Sequence, residues 1–378
     1  MININRRSSF LQRLLLATAL PFGLLAAGAV SAHAGTVTVT GANGANGTCG
    51  HAGGAGGAAT ATTTTPGDPS NDATAQGGRG GAGSNLCYGL HDLPRGGGSG
   101  GAATATAATT VTTGSASAAA IGTGGAGGTG GRGLYDLIPS APGGTGGGAT
   151  VISSAADAGA GAVTSSATAY GGNGGETSLY FTGGGGTASA VASGQSTGSG
   201  SVDATASAYG GPGDVGGAAT AKATGVALTG KVQANASASG GVGSGPGTAF
   251  AQSDAKNASG EVLTTASAPG GASGTSPSAL TAAGVGSVSL AAASTTPGGT
   301  VSNAIRTPEG PIGEGAMSAA FGGQPEQYEA TATFDFKPSP SETLYLNLLS
   351  DQVSGIGFDS LGLEVVINGT IDIQKSFF

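Results

Sequence analysis

Pairs of glycine recur along the chain at nearly regular intervals, and this spacing constrains the fold more than any other feature. The pairs lie at 124–125, 171–172, 210–211, 240–241, 270–271 and 298–299. Chains with a sequence repeat of about 20 to 50 residues fold by stacking one copy of the repeat on the next. The sequence therefore predicts an extended tandem array.

Seven units of about 30 residues each, a length typical of stacked repeats, account for most of the chain from His51 to Gly299. We place them at 51–78, 96–125, 143–172, 182–211, 212–241, 242–271 and 272–299. Three stretches fall between units: Arg79–Arg95, Ala126–Pro142 and Asn173–Phe181. Because they occupy the same point between units, we interpret them as inserts that protrude from one edge of the array, as binding insertions of repeat proteins do.

Side chains alternate within a unit with the period of a half-buried β-strand. In 232–239 one face carries valine and alanine and the other carries glutamine, asparagine and serine. The larger apolar residues recur at one position, which predicts a repeat seam made of Val163, Val202, Val232, Val262 and Leu290. Each unit is then a strand, a glycine turn, a second strand and a glycine-rich turn.

These patterns predict an all-β fold, either a thin β-solenoid or an array of stacked hairpins. The alternative is a flexible glycine-rich tract, because alanine and glycine are poor strand formers. Glycine and proline, with 79 and 16 of 378 residues, approach the composition at which low complexity becomes the default expectation.

The composition changes after Gly299. We predict a linker over 300–326 and a small antiparallel β-module over 327–378, in which leucine, isoleucine and aromatic residues replace glycine. Asn368-Gly369 between two apolar runs predicts a hairpin with a tight turn. Such a module would cap the exposed edge of the array.

The amino-terminal stretch 1–34 has the pattern of a secretory signal peptide. Arg6, Arg7 and Arg13 precede an apolar run, and Ala32-His33-Ala34 supplies the small residues of a cleavage site, so the mature chain is predicted to begin at Gly35. The stretch 35–50 is then a short lead into the array. An uncleaved membrane anchor is the alternative, and the route can be general secretion or the twin-arginine pathway.

Charge and hydropathy restrict the class of partner. All 20 acidic residues but only 9 of the 12 Lys and Arg follow Ala34, which leaves the mature chain with a net charge near −11. A strongly acidic chain argues against a nucleic-acid partner. The mature chain contains no second long apolar stretch, so no transmembrane span is predicted.

Cys49 and Cys87 are the only cysteines, and His51 and His91 lie close to them in the sequence. These four residues resemble a Cys2His2 metal set, but their spacing differs from that of zinc sites. Because an exported protein meets an oxidising environment, a Cys49–Cys87 disulfide is the preferred interpretation, with no metal site.

Two further motifs predict no chemistry. Gly194-Gln-Ser-Thr-Gly198 matches the nucleophile elbow of serine hydrolases but lacks the strand-turn-helix context of that motif. Gly210-Gly-Pro-Gly-Asp214 is similar to calcium-binding repeats, yet its aspartate does not recur. We therefore predict no enzyme activity, no catalytic residue and no cofactor.

Two parts of the chain resemble known proteins. The stretch 346–370, with Gly355-Ile-Gly-Phe-Asp-Ser-Leu and Val366-Ile-Asn-Gly, resembles the C-terminal region of exported proteobacterial glycine-rich proteins. The repeats are similar in composition to mycobacterial glycine-rich surface proteins of the PE-PGRS type. The resemblance implies a secreted or cell-surface location and no defined activity.

The functional hypothesis is a structural or adhesive surface protein. Its candidate contact residues are the large side chains of the inserts, Tyr88, Tyr135, Tyr180 and Phe181, because tyrosine is favoured at contact surfaces. These residues could instead brace the turns. The partner is open and includes extracellular polysaccharide, a cell surface or self-association. The alternative function is binding to an ordered surface, ice or polysaccharide, through flat Thr, Ala and Ser strand faces.

Overall fold

The computed structural model describes residues 2–4, 35–87, 93–133, 138–177, 183–245, 247–257 and 261–268, together with eight later strands. Side-chain burial is described between Gly35 and Ala268 within these ranges, except at 261–262. In these residues every regular element is a β-strand and no helix occurs. The all-β prediction is confirmed for this part of the chain.

The strands are numbered in chain order. They are β1 (Ile2–Ile4), β2 (Gly35–Thr40), β3 (Ala59–Thr63), β4 (Ser70–Gln76), β5 (Ala103–Val111), β6 (Ala116–Thr123), β7 (Ala149–Asp157), β8 (Val163–Tyr170), β9 (Ala188–Ser196), β10 (Val202–Tyr209), β11 (Ala219–Ala227), β12 (Val232–Ser239), β13 (Ala249–Asn257), β14 (Glu261–Ser267), β15 (Ser278–Ala283), β16 (Val288–Ser294), β17 (Gly299–Thr307), β18 (Gly310–Ser318), β19 (Glu329–Phe334), β20 (Tyr345–Val353), β21 (Leu361–Ile367) and β22 (Thr370–Phe377).

The chain alternates between two sheets. From β2 to β16, the odd-numbered strands form part of sheet A and the even-numbered strands form part of sheet B, and neighbours within each sheet are parallel. Val202 lies opposite Val232, and Ala219 lies opposite Ala249, so neighbouring strands are offset here by the length of one repeat. Consecutive strands such as β11 and β12 lie in opposite sheets. This course is solenoid-like, and it differs from an array of stacked hairpins.

The core between the sheets consists mainly of methyl groups. In β11 the inward Ala221 and Ala223 are buried, whereas Lys222 and Thr224 point outward. Glycines within strands make room for the larger valines. A Cβ atom at Gly225 would lie 2.7 Å from Cγ1 of Val232. Small side chains therefore set the close spacing of the two sheets, which dispersion contacts then stabilise.

The links from each even strand to the next odd strand form a second ordered region. We call its described parts the glycine region; they lie within 41–57, 77–101, 124–148, 171–187, 210–217 and 240–247. Its hydrogen bonds have a period of three. The amides of Gly41, Gly44 and Gly47 donate to the carbonyls of Gln76, Arg79 and Ala82 at 2.8, 2.8 and 2.7 Å. A three-residue turn is the repeat of the polyproline II helix.

The two glycine amides of a Gly-Gly-x triplet hydrogen-bond to two different segments. The Gly77 amide donates to the carbonyl of Thr123 beside it at 2.9 Å, and the Gly78 amide donates across to the carbonyl of Gly57 at 2.8 Å. A Cβ atom at Gly77 would lie 2.0 Å from the Gly101 oxygen, and one at Gly78 would lie 1.9 Å from the Ala42 oxygen. Both positions therefore require glycine, as the crowded axis of collagen does.

The structure of the glycine region differs from the glycine-rich turn that the sequence predicts. These residues form hydrogen-bonded segments that extend both sheets. The opposite ends of the strands carry the short connections, such as 112–115 between β5 and β6. The two sides of the array, at opposite ends of the strands, therefore differ. One side consists of tight turns and the other of packed glycine segments.

The strands after β16 continue both sheets. β19 pairs in parallel with β15, and β18 pairs in parallel with β16. The stretch 300–326, predicted as a linker, contains most of β17 and all of β18, which pair antiparallel. β21 and β22 pair antiparallel with Ile367 opposite Thr370, so Asn368 and Gly369 lie between them as the hairpin prediction requires. β1 lies between β19 and β21, and the rest of the predicted leader, 5–34, lies outside the described residues.

Candidate binding surfaces

The predicted disulfide is confirmed. Cys49 and Cys87 are bonded, with 5.7 Å between their Cα atoms and a sequence separation of 38. The bridge closes the outer end of the first glycine segments, where the Gly47 amide also donates to the Ala82 carbonyl at 2.7 Å. His91 lies outside the described residues. Within the described part of the chain, no cluster of three or more His, Cys, Asp or Glu side chains could hold a metal ion.

The four aromatic contact residues of the sequence analysis lie outside the described residues, at 88–92, 134–137 and 178–182. Their described flanks are neighbours. The Leu86 amide donates to the Arg132 carbonyl at 3.0 Å, and the Gly130 amide donates to the Glu176 carbonyl at 2.9 Å. The three segments that carry Tyr88, Tyr135 and Tyr180 with Phe181 therefore depart from the same end of the glycine region.

The inserts begin inside the ordered array. The amide of Gly80 donates to the carbonyl of Ala126 at 2.9 Å, and that of Gly127 donates to the carbonyl of Asn173 at 2.8 Å. All three inserts, 79–95, 126–142 and 173–181, thus contribute hydrogen-bonded glycine segments. The expectation that they are looped out from the array does not hold for these residues, because their Gly-Gly-x triplets continue the period of three.

The predicted seam positions lie mostly in one register. Val163, Val202 and Val232 are buried, and they follow one another along sheet B with Val262 as the next partner. Leu290 is displaced from this row, because it lies opposite Leu263 while Val262 lies opposite Ser289. The one-residue offset places Leu290 in the neighbouring row.

The outer face of sheet A carries threonines in register. Thr60, Thr104 and Thr150 are partners on successive strands, and Thr62 lies opposite Thr106 in the next row. The long charged side chain of Lys222 also lies on this sheet and interrupts the threonine pattern. Asp203 and Gln233 belong to sheet B, so they do not break the threonine face.

The outer face of sheet B carries a pair of tyrosines that the sequence analysis did not single out. Tyr170 and Tyr209 are register partners, and their rings stack with centroids 5.1 Å apart and planes inclined by 10°. The rings remain 42% and 39% exposed. The sequence contained a signal for this pair, because Ala-Tyr-Gly-Gly occurs at the end of a strand at both 169–172 and 208–211.

The tyrosine pair lines an open groove of about 470 Å³. The groove lies where sheet B passes into the glycine region, and its other side chains come from Thr123, Ala126, Asn173 and Pro212. Backbone of Gly124, Gly171, Gly172 and Gly210 completes it. None of these lining residues carries a charge, so this is a neutral surface with two aromatic rings.

Packing accounts for the glycines of the nucleophile-elbow motif. Gly194 lies within β9, where a Cβ atom would be 2.6 Å from Cγ1 of Val202. A Cβ atom at Gly198 would lie 1.9 Å from the Gly159 oxygen. Ser196 is buried at 3% exposure between them. The strand places the serine inward against the core, which is the opposite of the exposed turn that a nucleophile elbow requires.

In the described part of the chain, no helix is long and apolar enough to cross a membrane. Comparison with known proteins identifies no matching protein-family model, no similar curated protein and no similar solved structure.

Proposed function

We propose that this chain is an exported structural and adhesive protein without catalytic activity, located in the secreted fraction or on the cell surface. The array acts as a scaffold that holds aromatic segments at one end. The observation that carries the proposal is the link between the flanks of those segments: Leu86 with Arg132 and Gly130 with Glu176, each by a backbone hydrogen bond.

The chemistry of the scaffold supports this role. Parallel strands and glycine segments satisfy their backbone hydrogen bonds within the array, and their exposed side chains are mainly short and polar. Such a surface offers weak contacts one by one. Tyrosine and phenylalanine combine a large contact area with little conformational freedom to lose, so the segments at 88, 135 and 180–181 are the contact elements of the proposed adhesive.

The test is attachment of the full chain to cells and to neutral and acidic polysaccharides. We expect a combined variant with Tyr88→Ser, Tyr135→Ser, Tyr180→Ser and Phe181→Ser to lose about tenfold or more in attachment, which corresponds to about 1.4 kcal/mol. Substitution is preferable to deletion of the inserts, because 79–84 and 126–131 hydrogen-bond within the array.

A matched control shortens the scaffold and keeps all four aromatic residues. Deletion of 212–241 removes one whole unit, whose length equals the register step between Val202 and Val232 and between Ala219 and Ala249. Attachment is expected to survive this deletion. If attachment survives loss of the aromatic residues and is abolished by the shorter array, the strand faces are the contact surface and the proposal fails in its present form.

Export has its own test. Amino-terminal sequencing of the extracellular or surface fraction is expected to begin at Gly35, the first residue of β2. Recovery of mature surface protein that begins at Met1 would contradict signal cleavage. Cleavage would also remove β1 from its place between β19 and β21.

The threonine face of sheet A favours a second candidate function, binding to an ordered surface such as ice or crystalline polysaccharide. Neighbouring strands lie about 4.8 Å apart and alternate residues about 6.8 Å apart, so Thr60, Thr104 and Thr150 with Thr62 and Thr106 form a regular hydroxyl-and-methyl grid. Thermal hysteresis of the purified protein tests the ice form. Its loss in Thr104→Lys, with retention in Thr205→Lys on sheet B, would favour this candidate over the adhesive one.

A further inference from the structure

The tyrosine pair of sheet B occupies an unusual position in the array. Most outward side chains in the described strands are short, whereas Tyr170 and Tyr209 stand side by side at the end of β8 and β10. Cross-strand aromatic pairs can stabilise a sheet on their own. These two rings also line a neutral open groove, and that groove is the feature a ligand could use.

The composition of the groove indicates the chemistry of its occupant. None of the described lining residues is charged, so they give no partner for an anionic polymer or a charged peptide side chain. Aromatic rings offer a negative face to weakly positive C–H groups, and the faces of pyranose sugars present such groups. Asn173 and Thr123 add an amide and a hydroxyl at the same site, which can exchange hydrogen bonds with sugar hydroxyls.

The openness of the groove favours a polymer over a small ligand. The groove is open to solvent rather than enclosed, and glycine backbone forms much of its lining. Small-molecule sites bury most of the ligand surface in a concave pocket. An open site is better suited to one segment of a longer chain, such as an extended polysaccharide.

We propose that the groove at Tyr170 and Tyr209 is a binding site for neutral polysaccharide chains. Its described lining residues do not include the aromatic residues at 88, 135, 180 and 181, which lie outside the described part of the chain. This inference rests on the proposed adhesive function and gives it a ligand class. The rings supply the stacking surface, and Asn173 and Thr123 supply polar contacts at its edge.

The experiment is affinity electrophoresis of the full, disulfide-bonded chain. Each native gel contains one neutral polysaccharide: hydroxyethyl cellulose, β-1,3-glucan, dextran or mannan. A further gel contains alginate as the acidic comparison. We expect retardation in at least one neutral gel. The double variant Tyr170→Ala with Tyr209→Ala is expected to weaken retardation about tenfold or more, whereas Tyr170→Phe with Tyr209→Phe retains most of it, because phenylalanine keeps the stacking face.

The control variant is Ile152→Ala. Ile152 is 44% exposed on the outer face of sheet A, so its truncation removes exposed apolar surface of similar position on the opposite sheet. We expect no change in retardation. Circular dichroism and the intact disulfide establish that each variant is folded.

Three results would overturn the inference. The first is that no neutral gel retards the unmodified chain. The second is that the double alanine variant is retarded as strongly as the unmodified chain. The third is that a proline-rich peptide binds in a Tyr170-dependent way while no neutral glycan binds. If the double alanine variant binds normally and the variant of Tyr88, Tyr135, Tyr180 and Phe181 does not, the adhesive function stands without this site. The reverse pattern supports the groove and contradicts the aromatic segments as contact elements.

Discussion

The strand region and the glycine region of the array reach order by different means. In the strands, alternate side chains are buried between two sheets, as Ala221 and Ala223 are while Lys222 points outward. In the glycine region, most buried positions have no side chain, and order comes from a pattern of backbone hydrogen bonds that repeats every three residues. The first region relies on apolar burial and backbone pairing together, and the second relies on close backbone packing.

The difference predicts which substitutions each region accepts. A strand tolerates change at every second position, on its outer face. In triplets such as 77–79 and 124–126, a glycine segment tolerates change only at the third residue, because a Cβ atom at either glycine would overlap a carbonyl oxygen.

The largest effect is expected from a charge in the seam. Val232 is fully buried, and Gln233 beside it points outward. We expect Val232→Asp to lower the free energy of unfolding by about 3–5 kcal/mol, since it leaves an uncompensated charge in the core. Gln233→Asp is expected to change it by about 0.5 kcal/mol or less. Urea denaturation measures both, and equal effects at the two positions would show that this strand has no inward face.

Removal of the disulfide tests whether the glycine region needs a covalent bond to stay ordered. The bonded cysteines have a sequence separation of 38, for which the loop-entropy estimate is about 3–4 kcal/mol. We expect Cys49→Ser with Cys87→Ser to destabilise the chain by up to this amount. Exchange of the glycine amides near Gly47 and Ala82 should accelerate more than exchange in β11. Thiol labelling provides the chemical control, and two reactive thiols in the denatured, unreduced protein would contradict the bond.

Gly125 tests the close packing of the glycine segments. A Cβ atom there would lie 1.9 Å from the Gly78 oxygen, and overpacked sites lose about 1–3 kcal/mol or more. We expect Gly125→Ala to destabilise by this amount and Ala126→Ser, at the third position of the same triplet, by about 0.5 kcal/mol or less. Thermal unfolding compares the pair. Similar midpoints for both variants would mean that the segments tolerate wider spacing than the structure has.

The smallest loss of stability is expected from removing asparagine side chains that add to the backbone hydrogen bonds of the glycine region. Asn43 accepts a hydrogen bond from the Arg79 amide and Asn46 accepts one from the Ala82 amide, both at 2.9 Å on the exposed surface. We expect Asn43→Ala to cost about 0.5–1 kcal/mol and Ala42→Ser to cost less. A loss as large as that of Gly125→Ala would indicate that these side chains, and not the glycines, hold the first segment in place.

Several features could be predicted from the sequence because they are local. The alternation after Val202 and Val232 marks the strands, and the position of these valines marks the inward face. The disulfide followed from there being only two cysteines. The aromatic segments could be placed between units, although their own structure lies outside the described residues. The predicted leader and the adhesive function stay predictions.

Other features were missed although their signals were present. Gly-Gly-x triplets such as 77–79 and 80–82 follow one another directly, yet they were interpreted as turns because glycine is common where the chain reverses. The groove was missed because Tyr170 and Tyr209 lie in different units of the repeat. Only the register of β8 with β10 brings them side by side.

The strand positions and the burial pattern could be predicted because each depends on side-chain type at a short, regular spacing, and the disulfide could be predicted because the chain has two cysteines. Three further points required the tertiary structure: consecutive strands belong to opposite sheets, the glycine links are hydrogen-bonded segments, and two distant tyrosines share one groove. These points could not be predicted from side-chain patterns, because backbone hydrogen bonds do not depend on which side chains the paired residues carry. Any amide can pair with any carbonyl, so the choice of partner is set by how closely the whole array can pack.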